Sequence, residues 1–528
     1  MNDLWRQMRT IGEHFVAATD KLPEYLSQHI LVTALALGFG IAISLPAAVV
    51  ATRRAGLRYP LLTVASVQQT IPSIAMLVLV YAVMVGLNSL LLSLTGWGEL
   101  AVSFISAVVA LTLYSILPVL RNTVTGIQNV DPAMTEAARG MGMTASQVLF
   151  KVELPLAAPV IIAGIRTATV WVVGIATLTT PVGQTSLGDY IFVGLQLENW
   201  GMVLLGCVSA AVLAIVLDML IALLQRASQK RSKVMAIGAV AGLAVVFGGG
   251  LTLTRAVPDH LVGAKTFDEQ FILASMIRDE LVAAGFDTGK RQGLGSTLAF
   301  NALAGNQIDA YVDYSGTIWA VQMQRDDVAG ADEVYREVEQ WLAREHGITC
   351  VGRLGFENAY ALAMKRSKAE QLGIETIADL AAHAPELSIG GDYEFFDRPE
   401  WQNIKNTYGL AFGDTRRFQS TLMYQAVNSG KVDVISAFSS DGRIAAYDLR
   451  VLEDPRNAIP PYDAILLVSP KASKIEGFIE ALQPLIGAID DRMMRKANYM
   501  VDREQDKKTP AEAAAWLEAQ IGGASDER

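Results

Sequence analysis

Long apolar runs constrain this chain more than any other feature. Stretches near residues 29–52, 60–94, 101–120, 156–180, 201–225 and 234–254 are almost free of charge. A bilayer core is crossed by about 20 helical residues, and each stretch reaches that length. The second is overlong and interrupted by Gln68, Gln69 and Pro72, so it is read as one span with an irregular beginning. Basic residues gather in alternate connections. Arg53, Arg54 and Arg58 follow the first span, Arg121, Arg139 and Lys151 the third, and Arg226, Lys230, Arg231 and Lys233 the fifth. The loops around Glu99 and from Asp189 to Glu198 contain neither Lys nor Arg. Positively charged loops stay in the cytoplasm, so six spans place residues 255–528 outside. Buried helices of a large soluble protein would not require that alternation.

Charge divides the chain at the same point. Through Arg255 the net charge is +4 and beyond it −14, together the −10 of the whole 528-residue chain. An apolar, basic half is followed by an acidic, soluble one, which is the signature of a domain boundary. The acidic half argues against nucleic acid as a partner, because phosphate binding needs clustered positive charge. Trp5, Arg6, Arg9, Asp20 and Lys21 break up the first 28 residues, which do not read as a cleaved signal peptide. Cys207 lies in an apolar run and Cys350 is the soluble half's sole thiol, so that half forms no internal disulfide. There is no Cys-x-x-Cys pair and the five histidines have no ligand spacing, so neither a metal nor another cofactor is expected. Within the spans Arg166 and Asp218 are the notable ionisable groups, a residue type that usually faces a bundle interior or an aqueous path.

The long basic connection over 131–155 carries a pattern of its own. Asp131-Pro132 opens it, Glu136-Ala137-Ala138 follows, and Gly142 precedes Val152-Glu153-Leu154-Pro155 by nine residues. Asp131 or Thr135 suits a helix cap, Pro132 a first turn and Gly142 a sharp reversal, while Pro155 is expected to close a second short helix. This spacing resembles the signature loop of ABC importer permeases. The resemblance implies that Glu136, Ala137, Ala138, Gly142, Leu154 and Pro155 form a knob inserted into a cytoplasmic ATPase. It also implies a permease homodimer in the lipid of a bacterial inner membrane. The nearest approach to a phosphate loop, Gly285-Phe-Asp-Thr-Gly289-Lys290-Arg291, is one residue short and has Arg where Ser or Thr must hold magnesium. The ATPase is therefore expected on a separate polypeptide, and this chain is expected to be no enzyme.

Past residue 259 strand-like and helix-like segments alternate. Gln307–Tyr314 and Lys431–Phe438 read as strands, and Thr376 opens a helix. About 270 residues of this alternation suit an α/β unit of two lobes, with ligands at the carboxyl ends of its strands. Several segments are similar to the binding proteins for glycine betaine, choline and carnitine. These are Gly263–Gln270, Tyr311–Thr317, Asn358–Leu362, Glu394–Arg398, Ala437–Arg443 and Pro460–Asp463. A trimethylammonium group has charge but no N–H, so aromatic faces must recognise it, at about 0.5–2 kcal/mol per face. The resemblance implies a cage of Tyr314, Tyr360, Phe438 and Tyr462, with Phe438 standing where the family usually has Tyr. It implies that Lys265, Thr317 and Arg398 hold a ligand carboxylate, with Gln270 as a further polar contact. Tyr311, Phe395 and Phe396 are read as core.

The expected organisation is a tail over 1–28, an all-α transmembrane permease over 29–225, a basic connection and tethering span over 226–256, and an extracytoplasmic two-lobed periplasmic-binding-protein fold over 257–528. The expected function is ATP-driven import of a quaternary-ammonium osmoprotectant. The alternatives are the same machine for another methylated cation such as ergothioneine, and a membrane-tethered sensor. The signature loop and the five further spans argue against the sensor.

Overall fold

The computed structural model describes residues 18–95, 101–197, 199–252, 258–325, 327, 329–456, 458–503 and 506–525. Trp5, Arg6, Arg9, Glu99, Glu198 and Arg255, used above to read the tail and the connections, lie outside the described residues. The chain divides into a helical unit ahead of Pro258 and a second unit from Pro258 onward.

The first unit contains helices α1 (Leu22–Arg53), α2 (Ala55–Gln68), α3 (Ser73–Thr95), α4 (Val102–Gln128), α5 (Pro132–Gly140), α6 (Leu154–Ala176), α7 (Trp200–Lys230) and α8 (Lys233–Thr252). Of these, α1, α4, α6, α7 and α8 belong to helices long and apolar enough to cross a membrane. The overlong run becomes two helices, α2 and α3, bent by 100° at the break before Ser73. Pro72 disfavours helical geometry for the residue before it, so the bend falls where the sequence interrupts the run. At 14 residues α2 is about 21 Å long, too short to cross alone.

The core of this unit is made by α1, α4 and α6, through Val32, Ala36, Leu111, Val119, Ala168 and Val172. Lipid tails are as apolar as these side chains, so close backbone approach rather than water exclusion drives the packing. A Cβ on Gly40 would sit 1.7 Å from the Ser115 hydroxyl oxygen, and one on Gly164 2.7 Å from the Pro118 carbonyl. Larger residues at either position would force the helices apart.

The connection after α4 folds back in two limbs. Asp131 caps α5, accepting from the Ala133 amide at 2.9 Å, so the helix starts at Pro132 and Glu136 lies within it. Thr135 is not the cap; its hydroxyl donates to the Pro132 carbonyl. Gly142 makes the reversal at φ +82°, and Thr144 opens the second limb in a reciprocal cap with Gln147. That limb does not close at Pro155 as expected. It passes through a wide turn over Leu149–Glu153 directly into α6, whose first turn contains Leu154 and Pro155. Pro155 has no N–H to donate, and the wide turn absorbs the missing bond. Glu136 and Ala137 are exposed while Ala138 is buried beneath them. Met134, Met141 and Phe150 are exposed around the same loop.

The second unit contains two five-stranded sheets. Strands β1 (His260–Lys265), β2 (Thr288–Leu294), β3 (Ala310–Tyr314), β4 (Thr349–Glu357) and β10 (Asp463–Val468) form one, ordered β2-β1-β3-β10-β4. Strands β5 (Tyr360–Lys365), β6 (Ser388–Asp392), β7 (Asp414–Phe418), β8 (Val434–Phe438) and β9 (Leu449–Val451) form the other, ordered β7-β6-β8-β5-β9. In each sheet parallel pairing is joined by antiparallel strands, β10 in the first and β5 in the second. The chain passes between sheets twice, through Asn358-Ala359 and through residues 452–462. Two lobes joined by two short crossings can rotate about them. The expected strands at 307–314 and 431–438 are shorter than their apolar patterns, because residues 306–309 and 429–433 form the turns leading into β3 and β8. Thr376 caps its helix as expected. Helix α9 (Asp268–Ala283) packs against α10 (Asp491–Asp502) and α11 (Pro510–Ser525), which complete the first lobe.

Candidate functional site: an aromatic cleft between two lobes

The strands that end at the interlobe cleft deliver the aromatic side chains. Tyr314 ends β3, Phe438 ends β8, Tyr360 begins β5 and Tyr462 immediately precedes β10. Because these positions fall at strand termini, rings from both sheets meet around one cleft, which all four line. The Tyr360 ring lies 5.0 Å from Phe438 and 6.1 Å from Tyr462, nearly perpendicular to the latter. Phe267, ahead of α9, completes the wall: its ring is parallel to Phe438 at 6.1 Å and stacked with Tyr314 at 6.2 Å. Phe267 was missed as a site residue, although it lies inside the Gly263–Gln270 segment.

Lys265, Thr317 and Arg398 line the same cleft and are buried. Neither cation stands alone. The Lys265 ammonium pairs with Asp313, and the Arg398 guanidinium reaches Glu400 through Nε and Nη2, the latter at 3.0 Å. Glu400 also accepts from the Tyr462 hydroxyl. Each cation lies close to a cage ring, Arg398 Cζ 5.1 Å from the Tyr360 centroid and Lys265 Nζ 5.3 Å from that of Tyr314. A ligand carboxylate would therefore share guanidinium donors with a buried counterion. The counterion signal was present in sequence, since Glu400 follows Arg398 by two residues.

Gln270 does not line the cleft. Its carboxamide accepts from the Lys265 amide at 3.2 Å and donates to the Val312 carbonyl at 3.1 Å and the Tyr314 hydroxyl at 3.0 Å. With these bonds made and the residue buried, it supports the cage from behind and does not serve as the expected ligand contact. Tyr311 and Phe395 are wholly buried, and Phe396 nearly so, in line with their reading as core.

The balance of charge around the cleft is negative. Asp392 lines it, accepting from the Tyr360 hydroxyl at 3.2 Å and from two backbone amides. Burial pushes its carboxyl above the usual range, against the pull of those amides. Glu269, behind Tyr314, is likewise raised by burial, opposed by its four hydrogen-bond donors. Aromatic faces in a cleft with excess carboxylate attract a poorly hydrated cation.

Comparison with known proteins agrees with both units. Residues 261–519 match the family described as the substrate-binding domain of ABC-type glycine betaine transport systems. Residues 40–234 match the inner membrane component of binding-protein-dependent transport systems. A choline transport system permease of Bacillus subtilis is 39% identical over 38% of this chain and 84% of the relative. A glycine-betaine-binding protein of Pseudomonas aeruginosa is 34% identical over 48% of this chain and 85% of the relative.

The chain belongs to the binding-protein-dependent ABC importers.

In this importer chain the permease and the betaine-type binding domain are fused. The same order occurs in an ergothioneine transport permease and binding protein of Helicobacter pylori, 28% identical over 90% of this chain and 85% of the relative. The helical unit is thus a permease domain, the two-lobed unit has the periplasmic-binding-protein fold, and neither is a catalytic domain. The knob built by Glu136, Ala137, Ala138, Gly142, Leu154 and Pro155 lies within the permease match.

Proposed function

We propose that this chain is the channel and tethered receptor of an ATP-driven importer for a small quaternary-ammonium compound of the glycine betaine, choline or carnitine type. The observation that carries the reading is the convergence of Tyr314, Tyr360, Phe438, Tyr462 and Phe267 on the cleft that also holds Lys265, Thr317 and Arg398. The trimethylammonium group packs against the rings, and Arg398, Lys265 and Thr317 take the carboxylate of a betaine. In the full mechanism the lobes close on the cation and the tether keeps the receptor at an effective concentration on the order of millimolar near the channel. The exposed knob with Glu136, Met134, Met141 and Phe150 docks a separate cytoplasmic ATPase, and two permease copies form the channel in the inner-membrane lipid. Basic loops face the cytoplasm and the receptor lies outside.

A second reading keeps the machine and changes the cargo to ergothioneine, itself a betaine. It is favoured by the fused Helicobacter pylori relative, which shares both units in the same order. Calorimetric titration of the purified full chain with choline, glycine betaine, carnitine and ergothioneine separates these. Binding of at least one is expected. Heat from ergothioneine alone would favour the second reading, and silence from all four would end both.

A further inference from the structure

Behind the cage, Glu269 receives hydrogen bonds from four separate parts of the receptor. It is the second residue of α9 and is 3% exposed. Its carboxylate accepts from the Tyr314 hydroxyl in the cage and from Asn358 Nδ2 at 3.0 Å in the first crossing. It also accepts from the Ser440 hydroxyl at 2.5 Å in the second lobe and from Asn498 Nδ2 at 2.9 Å in α10. Asn498 Nδ2 also donates to the Ser440 carbonyl at 2.7 Å, so the second lobe's turn is held twice.

The same turn lies against the α10 backbone. A Cβ on Gly442 would sit 2.4 Å from the Tyr499 nitrogen and 2.5 Å from the Asn498 carbonyl carbon, with no flexible side chain to yield. The backbone there, φ −65° and ψ −24°, accepts any L-residue. Glycine is required by the close approach of the lobes and not by the turn. Rotation about the crossings would carry Ser440 and Gly442 away from α9 and α10 together, while the Tyr314 and Asn498 bonds to Glu269 stay within the first lobe.

We propose that Glu269 is a positioning residue for ligand capture, which ties closure of the lobes to the setting of the Tyr314 ring. A buried carboxylate without a cation needs its donors. Ser440 belongs to the second lobe, so its bond to Glu269 holds both the lobes and the carboxylate that orients the Tyr314 hydroxyl in the cage wall. This rests on the reading of the cleft as the ligand site.

The test uses the full chain, with choline and glycine betaine as probes and stopped-flow kinetics as the readout. Ser440→Ala is expected to raise the dissociation rate by about tenfold, and Gly442→Ala by more. The association rate of both should stay within about twofold of the wild type, since capture by the open form precedes closure. A purely structural role would lower thermal stability without this division between rates. The Ser440→Ala and Tyr314→Phe effects should be non-additive although the two side chains meet only through Glu269. Unchanged dissociation in Ser440→Ala and Gly442→Ala, or strict additivity, would overturn the proposal. If the wild type binds neither probe, the choline and glycine betaine cargo is ruled out instead, and if it binds neither carnitine nor ergothioneine either, the reading of the cleft fails. Interlobe distances from paired fluorescent labels then still decide the proposal, which requires Gly442→Ala to be more open than wild type and is overturned by identical distributions.

Discussion

The Arg53 guanidinium at the end of α1 pairs with the Glu153 carboxylate in the wide turn before α6. Glu153 is buried and Arg53 is partly open to solvent. The pair fastens the second limb of the knob to the first membrane helix, so a displacement of the knob would reach α1 as well as α6.

Removing one partner leaves a buried charge without compensation, which is costly. Arg53→Gln is therefore expected to lower ligand uptake in cells carrying the chain with its ATPase by about tenfold or more, with receptor affinity unchanged. Uptake and binding measured side by side check this, and equal loss in both would contradict it.

Phe267 joins the Tyr314 and Phe438 rings across the cleft. Phe267→Ala is expected to weaken binding of a trimethylammonium ligand by about 1–2 kcal/mol, from one lost face and looser neighbours. Phe267→Tyr should come within about threefold of wild type. Calorimetry on both variants is the check.

Arg398 serves Glu400 already, and a betaine carboxylate would share its guanidinium. Arg398→Ala should weaken glycine betaine more than choline, which has no carboxylate. The comparison must be made between ligands, because unpairing Glu400 and Tyr462 disturbs the cage for both. Equal loss for the two ligands would show that Arg398 does not hold the carboxylate.

The Glu518 carboxyl on α11 is pushed up to about 7 by burial first, then by Asp279 and Glu280 on α9, with Arg278 opposing. A carboxyl raised on folding takes up a proton on folding. Its contribution is fully present below the unfolded value near 4.5 and is lost as pH rises through about 7. Solvent screening of a partly exposed group reduces the effect to about 1 kcal/mol. Glu518→Gln should therefore raise the unfolding temperature of the receptor domain at pH 8 and barely change it at pH 4.5. A variant equally stabilised at both values would refute the assignment.

Much of this architecture was legible in the sequence because it follows from local chemistry. Apolar length marks the membrane helices, Gln69 to Pro72 marks the bend, Gly142 the reversal, and Thr376 a helix start. That Tyr314, Tyr360, Phe438 and Tyr462 meet at one cleft was legible because they fall at strand ends within segments similar to known receptors. What escaped depends on tertiary partners. Gln270 turns to the Lys265 amide and the Tyr314 hydroxyl, and nothing in its neighbours along the chain dictates that. Phe267 joins the cage only because the ends of β3 and β8 converge on it. Pro155 has the sequence character of a terminator, and only the wide turn before it lets the helix run on.

The electron-rich rings in the cleft are proposed to recognise a positive charge rather than a shape. Choline and its neutral isostere 3,3-dimethylbutanol have nearly the same volume and differ in that charge, so titrating the full chain with both isolates it. The structure predicts that choline binds at least about thirtyfold more tightly, which corresponds to about 2 kcal/mol from the rings and surrounding carboxylates. Equal affinity for the two compounds would mean that the rings do not recognise the charge.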